Sequence, residues 1–182
     1  IAPVDGEKLP VAVAGQYVTV RTAVPGEEYL MNRQCTITQS TTKEFRISVK
    51  LESDSVPSGV VSTFLHEAEI GTVIDVSSPA GVFKLDSTDA PVLFIAGGVG
   101  VTPLQTMLAS MENRIASFLQ CARKEKIAAF SEQIKGKVAA LGGTYKATYS
   151  DTDGYITREV VESIYEDDMQ VYIRGPTVFM ES

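Results

Sequence analysis

Residues 91–103, PVLFIAGGVGVTP, followed at once by LQTMLASM (104–111), decide how this chain folds. The apolar and β-branched run from Val92 to Ala96 predicts a strand buried on both faces, as in a parallel sheet. It breaks into Gly97, Gly98, Val99 and Gly100, after which Thr102 and Pro103 open a helix with apolar periodicity. Thr suits the N-cap, where its hydroxyl can accept an orphan N–H, and Pro suits the first helical position, where its fixed φ is already helical. Glycines that admit a close approach, below a ring of free amides and a helix dipole, make a cradle for a pyrophosphate.

Working outward, the loop departs from the G-x-G-x-x-G dinucleotide fingerprint because Pro103 holds its last place, and the loop does not open the chain. The residues before it have another grammar. From 15 to 85 the signal is period two: strands are expected at 15–22, 29–38, 44–52, 72–78 and 81–85. Turn signals at Pro25–Gly26, Ser40–Lys43, Pro57–Gly59, Gly71 and Pro79–Gly81 separate them. One helix is expected at 60–68. This spacing predicts a small antiparallel β-barrel.

After 86–90 strands and helices alternate: strands at 91–96, 116–122, 144–150 and 170–175, helices at 103–112, 126–141 and 156–165, and a last helix beginning TVFME. Short joints between them predict a doubly wound parallel-sheet α/β domain. The boundary falls near residue 88, so the domains are 1–88 and 89–182.

Composition narrows the function. The 182 residues are 44% hydrophobic, enough for a core, and no apolar run nears the roughly 20 residues of a membrane-spanning helix. Sixteen basic against 23 acidic residues give a net charge of −7, which argues against nucleic acid or an anionic membrane as partner. Cys35 and Cys121 lie in apolar, strand-like runs and read as reduced thiols of a cytoplasmic protein. A single histidine, His66, leaves little for a His-based metal site or a Ser-His-Asp triad. The start at Ile1 without Met, and the end at Ser182 where a helix begins, lead us to expect a fragment at both ends.

Three further constellations carry chemistry. Arg33-Gln34-Cys35-Thr36 sits on the second strand beside Gly15-Gln16-Tyr17 on the first, and period two puts Arg33 and Cys35 on one face and Thr36 on the other. A strand-borne Arg is well shaped for bidentate phosphate contact, although alone it is more often a solvated surface residue. Ser58-Gly59 ahead of Val61, Ser62 and Thr63 offers amides and hydroxyls at a helix start, or simply an ordinary capped helix. Arg174-Gly175-Pro176 closes the last strand on the edge where open α/β sheets bind ligands.

Taken jointly and in order, these residues resemble the ferredoxin–NADP reductase superfamily, most closely the reductase half of flavohaemoglobins. The resemblance runs through GQY (15–17), RQCT (33–36), RISVK (46–50), GVVSTFLHE (59–67), SPAGVFKL (78–85), PVLFIAGGVGVTPLQTML (91–108) and VYIRGPTVFM (171–180). It implies a flavin-dependent NAD(P)H oxidoreductase with FAD on the barrel and NAD(P)H on the α/β domain, passing electrons to a haem or iron–sulfur acceptor. That acceptor could be an N-terminal domain of the same chain, a globin making the whole a nitric oxide dioxygenase. By the same resemblance Arg33 holds the FAD pyrophosphate and Thr36 lies near the reactive edge of the flavin. Tyr17 and Lys50, with Val61, Ser62 and Thr63, line the diphosphate and ribityl, beside Gln34 and Cys35. Gly98, Val99, Gly100, Val101, Thr102 and Pro103 cradle the coenzyme pyrophosphate, and Gly175–Pro176 flank the nicotinamide.

Two positions depart from the family's pattern: Cys35 stands where the family stacks a Tyr on the flavin, and Arg174 where a Cys precedes Gly-Pro. With these, a redox-inactive nucleotide-binding or interaction module is the alternative reading. For the coenzyme, Arg123 and Lys124 follow the second strand of the α/β domain with no acid at the strand tip. This reads either as a solvated charge cluster at a helix start or as a site where NADPH is used at least as well as NADH, with Arg123 as chief reader.

Overall fold

A computed structural model describes residues 1–51 and 59–181 and divides into two units, Ile1–Lys84 and Leu85–Ser182. In the first unit, β1 (Tyr17–Thr22), β2 (Met31–Ser40), β3 (Phe45–Ile47) and β4 (Asp75–Val76) form an antiparallel sheet in the order β3-β2-β1-β4. Period two works as read. Val18 and Val20 on β1 are 0% exposed, and Val18 lies opposite Cys35 in the β1–β2 ladder. Val18, Ile37 and Phe45 form the core, closed by Leu9, Ala12, Ile47 and Val76. Burying each such side chain stabilises the unit by about 1.5–3 kcal/mol.

The expected barrel is realised as a curled four-stranded half-barrel. β1, β3 and β4 are shorter than the alternation suggests, whereas β2 keeps ten residues. Of the strand expected at 44–52, the part that forms among the described residues is Phe45–Ile47, where the β2–β3 register shifts between Ile37 and Gln39; residue 52 lies outside the described residues. Thr38, the extra residue, turns its hydroxyl onto the Arg46 carbonyl at 3.2 Å. No strand forms at 81–85. Pairing there stops at a bridge between Tyr17 and Ala80, because Pro79 has no N–H to give and Gly81 takes φ +114°, a glycine conformation. The helix expected at 60–68 is α1 (Val60–Glu67). The turn at Pro57 and Ser58 lies outside the described residues.

In the second unit, β5 (Val92–Gly97), β6 (Ala116–Ala122), β7 (Tyr145–Tyr149) and β8 (Gln170–Arg174) are parallel in the order β7-β6-β5-β8. All six residues of β5 are buried, as a central strand of such a sheet requires. One face carries Leu93, Ile95 and Leu119 against Ile164 and Met169, with Val160 and Val161 of α4 (Arg158–Glu162) and Phe179 of α5 (Thr177–Met180) packed on them. The other carries Phe94, whose ring centroid is 5.7 Å from those of Phe118 and Tyr172. Here α2 (Val101–Ser110) packs beside α3 (Ser131–Ala140).

The helix expected at 126–141 is split. A single 3-10 turn spans Glu125–Ile127, and Phe130 takes φ 63° before α3 starts at Ser131. Gln120, the one amide in the apolar strand β6, fixes that break: its Nε2 donates to the Ala129 carbonyl at 2.8 Å. Its Oε1 accepts from Ser131 at 3.2 Å and from the Tyr145 hydroxyl at 2.8 Å. At the opposite edge of the sheet, Arg114 bonds Gln170 at 2.8 Å and pairs with Asp86 at 3.4 Å, which ties the start of the unit to β8.

Candidate functional site

In an open parallel sheet, ligands bind beyond the carboxyl ends of the strands where the strand order reverses. Here the chain enters at β5, builds β6 and β7 to one side and returns to β8 on the other, so the reversal lies between β5 and β8. The glycine turn follows β5 and Arg174-Gly175-Pro176 follows β8. Both read motifs therefore meet at one place.

Gly98–Gly100 form a turn of 3-10 helix that runs directly into α2. Gly98 has φ +54°, and nothing lies within 4 Å of the point where a Cβ would stand. Val99 is 45% exposed. A helical run that begins at Gly98 leaves its first N–H groups without intrahelical carbonyls, and Gly98 and Val99 are exposed. The structure thus fits a pyrophosphate, which needs close approach and convergent amides.

Helix α2 starts at Val101 with Gly100 as its N-cap, so Thr102 is not the cap and Pro103 is not the first residue. Thr102 instead donates its hydroxyl to the Val99 carbonyl at 2.9 Å. That carbonyl is four residues before Pro103, which has no N–H to offer it. The Thr-Pro pair repairs the ladder rather than capping it, and both residues are buried.

Gly100 needs to be glycine: a Cβ there would overlap the carbonyl of Arg174. Gly97 is equally constrained, since its Cβ would stand 2.7 Å from the Phe179 ring, and Gly175 faces the same ring. Phe179, which sequence reading missed, packs on the core beside the site and covers both glycines. Arg174 pairs with Ala96 across the ladder and is exposed.

In the first unit, the β1–β2 ladder sets Tyr17 opposite Thr36, Thr19 opposite Gln34 and Val20 opposite Arg33. Tyr17 exchanges main-chain bonds with Ala80 at 3.0 and 2.9 Å, and its ring covers Gly81, whose Cβ would be 3.1 Å from it. Arg33 and Gln34 are exposed, Thr36 is half-buried and Cys35 is only 6% exposed. Burial pushes the Cys35 thiol pKa up, with the nearby Arg33 charge opposing it. Lys50 is exposed beyond β3.

Val61 and Ser62 are buried at the start of α1, followed by half-buried Thr63. The Ser62 hydroxyl donates to the Gly59 carbonyl at 2.7 Å. Arg33 and Cys35 share a face, opposite Val20 and Val18; Arg33, exposed toward the start of the strand, fits a phosphate, while Cys35 is buried. Arg123, just past β6, accepts the Asp151 N–H on its carbonyl at 3.1 Å, and its side chain is exposed. Among the described residues no three His, Cys, Asp or Glu side chains gather as for a metal ion, and no helix is long and apolar enough to cross a membrane.

Residues 6–85 match the family model described as an oxidoreductase FAD-binding domain. The chain is 36% identical to a flavohemoprotein of Oceanobacillus iheyensis over its full length, and it covers 49% of that relative. It thus spans about half the length of the curated relatives it matches. Among solved structures, the flavohem-like FAD/NAD binding domain of nitric oxide dioxygenase from Vibrio cholerae superposes with a TM-score of 0.86 at 30% identity, covering 99% of this chain and 81% of that one. A flavohemoglobin from Malassezia yamatoensis, determined with bound FAD and heme, shares the fold with a TM-score of 0.80 at 24% identity, covering 99% of this chain and 49% of that one. The chain belongs to the FAD-binding oxidoreductases, with the ferredoxin–NADP reductase fold and the flavohaemoprotein type of domain.

Proposed function

We propose that this chain is the electron-input half of a flavohaemoprotein, drawing reducing equivalents from NAD(P)H and delivering them to a haem. The observation that carries this reading is the meeting of the glycine turn with Gly175–Pro176 at the strand-order reversal, in a chain matched over its length by flavohemoproteins. When bound, FAD supplies the conversion of a two-electron hydride donor into single electrons. The protein supplies position and charge.

In this reading the FAD-binding region is 1–88 and the coenzyme region 89–182. Arg33 neutralises the FAD diphosphate, with Tyr17, Gln34, Cys35, Thr36, Lys50, Val61, Ser62 and Thr63 around it. Gly98 to Pro103 hold the coenzyme pyrophosphate, and Gly175 and Pro176 leave room for the nicotinamide. No side-chain acid or base is needed, which suits a chain with one histidine. A haem acceptor is favoured over an iron–sulfur one by the flavohemoprotein matches. Two unpaired cysteines suit the cytoplasm.

The test is anaerobic reduction. Purified protein supplied with FAD should show the oxidised-flavin band, lose it on adding NADH or NADPH, and regain it on adding a ferric globin. A protein that takes up no flavin overturns the reading and leaves the redox-inactive module. Re-oxidation by a [2Fe–2S] protein but not by a globin overturns the choice of acceptor.

A further inference from the structure

We propose that Arg174 is a ligand of the coenzyme pyrophosphate, completing with its charge the site that the glycine turn begins with amides. This rests on the coenzyme assignment above and deepens it: a cation in this place recognises a diphosphate.

The argument is one of register and contact. Arg174 lies opposite Ala96, two residues beyond the Phe94–Tyr172 pair. Those two rings are in contact, so the Phe94 and Tyr172 positions share a face, and by alternation so do Ala96 and Arg174. Leu93 and Ile95 point the other way, toward Phe179. Arg174 therefore emerges on the face where Gln120 meets the start of α3 and where α2 packs beside α3. The main chain of Arg174 is pressed against Gly100, the last residue of the glycine turn. Gly98, Val99 and Arg174 are each exposed.

An exposed cation anchored by its own backbone to an amide-rich turn, in a chain of net charge −7, is placed for an anion. A guanidinium can span two phosphate oxygens, as a lysine ammonium cannot. The bulk that would crowd the nicotinamide if Arg174 turned toward Gly175 is harmless when it turns toward the turn.

Calorimetric titration of the full chain with ADP-ribose, which has the pyrophosphate but lacks the nicotinamide, and with adenosine, which lacks both, separates the terms. Arg174→Ala should weaken ADP-ribose at least tenfold and leave adenosine within twofold, and Arg174→Lys should fall between. Arg174→Gln, which keeps length and polarity, should behave as Arg174→Ala, with thermal melting as a check on folding. Equal or tighter ADP-ribose binding by both neutral variants overturns the role of Arg174. Failure of the wild-type chain to bind ADP-ribose overturns the coenzyme site itself.

Discussion

The main chain of Arg174 sits so close to Gly100 that the space for a Cβ at position 100 is already filled by the Arg174 carbonyl. Neither partner is the loose end of a side chain, so the clash cannot be relieved locally. Gly100→Ala should destabilise the second unit by about 1–3 kcal/mol, read in urea unfolding, and should also weaken NAD(P)H binding. Gly98→Ala has open space around it and meets only the penalty of φ +54°, about 1–2 kcal/mol. Coenzyme binding unchanged in Gly100→Ala would show that the contact between turn and strand end does not shape the site.

Arg33→Ala should weaken FAD far more than it affects folding. The side chain is exposed on β2, so little packing is lost. A charge-assisted contact is worth about 1.5–3 kcal/mol, roughly ten- to a hundredfold in affinity. Flavin titration at matched thermal stability is the measurement, and an unchanged Kd removes Arg33 from the site.

Cys35→Tyr tests whether this position faces the flavin or the core. Restoring the family's aromatic would tighten flavin binding or quench its fluorescence if the side chain reached the ring. The thiol is 6% exposed and lies opposite Val18, so the structure favours overpacking, at about 1–3 kcal/mol of stability. A melting temperature equal to wild type together with tighter flavin binding would refute the core placement.

Cys121 gives a pH dependence. Burial against the Leu93, Ile95 and Leu119 cluster raises its thiol pKa to about 11. A group whose folded value is raised stabilises fully below its unfolded value, about 8.5, and that contribution is lost as pH climbs through about 11. Alkylation of the native protein at Cys121 should keep accelerating toward pH 11, while a denatured sample levels off near 9. Identical profiles would show that the thiol is not desolvated.

The coenzyme preference can be read from Arg123. If its exposed cation meets the 2′-phosphate, NADPH is used at least as well as NADH, and Arg123→Ala lowers kcat/KM for NADPH about tenfold with NADH unchanged. A strong wild-type preference for NADH, or equal losses for both coenzymes, would assign the selection elsewhere.

Much of this was legible because the deciding patterns are local. The period-two run of β1 and the span of β6 need only neighbours in sequence. The errors sit where a distant partner intervenes. The start of α2 was misplaced because a Thr-Pro pair can either cap a helix or mend it, and the Val99 carbonyl chose the second. The single helix over 126–141 broke because Gln120, on another strand, holds Ala129 and Ser131 in place around a left-handed Phe130. The need for glycine at 97 and 100 comes from Phe179 and Arg174, both far along the chain, and no local pattern announces it.

The position of β8 also sets an order of events. β5 pairs with β6 soon after both exist, but β8 reaches β5 only after β6, α3, β7 and α4 have been laid down. Closing that long loop is entropically dear, so β8 is the strand expected to dock last and to detach first in native fluctuations. Since Gly100 touches the end of β8, detachment of that one strand dismantles the crevice while β5, β6 and β7 stay paired. A nucleotide bridging the turn and Gly175 would act as a staple across the least protected seam, slowing amide exchange along Gln170–Arg174 more than anywhere else in the sheet.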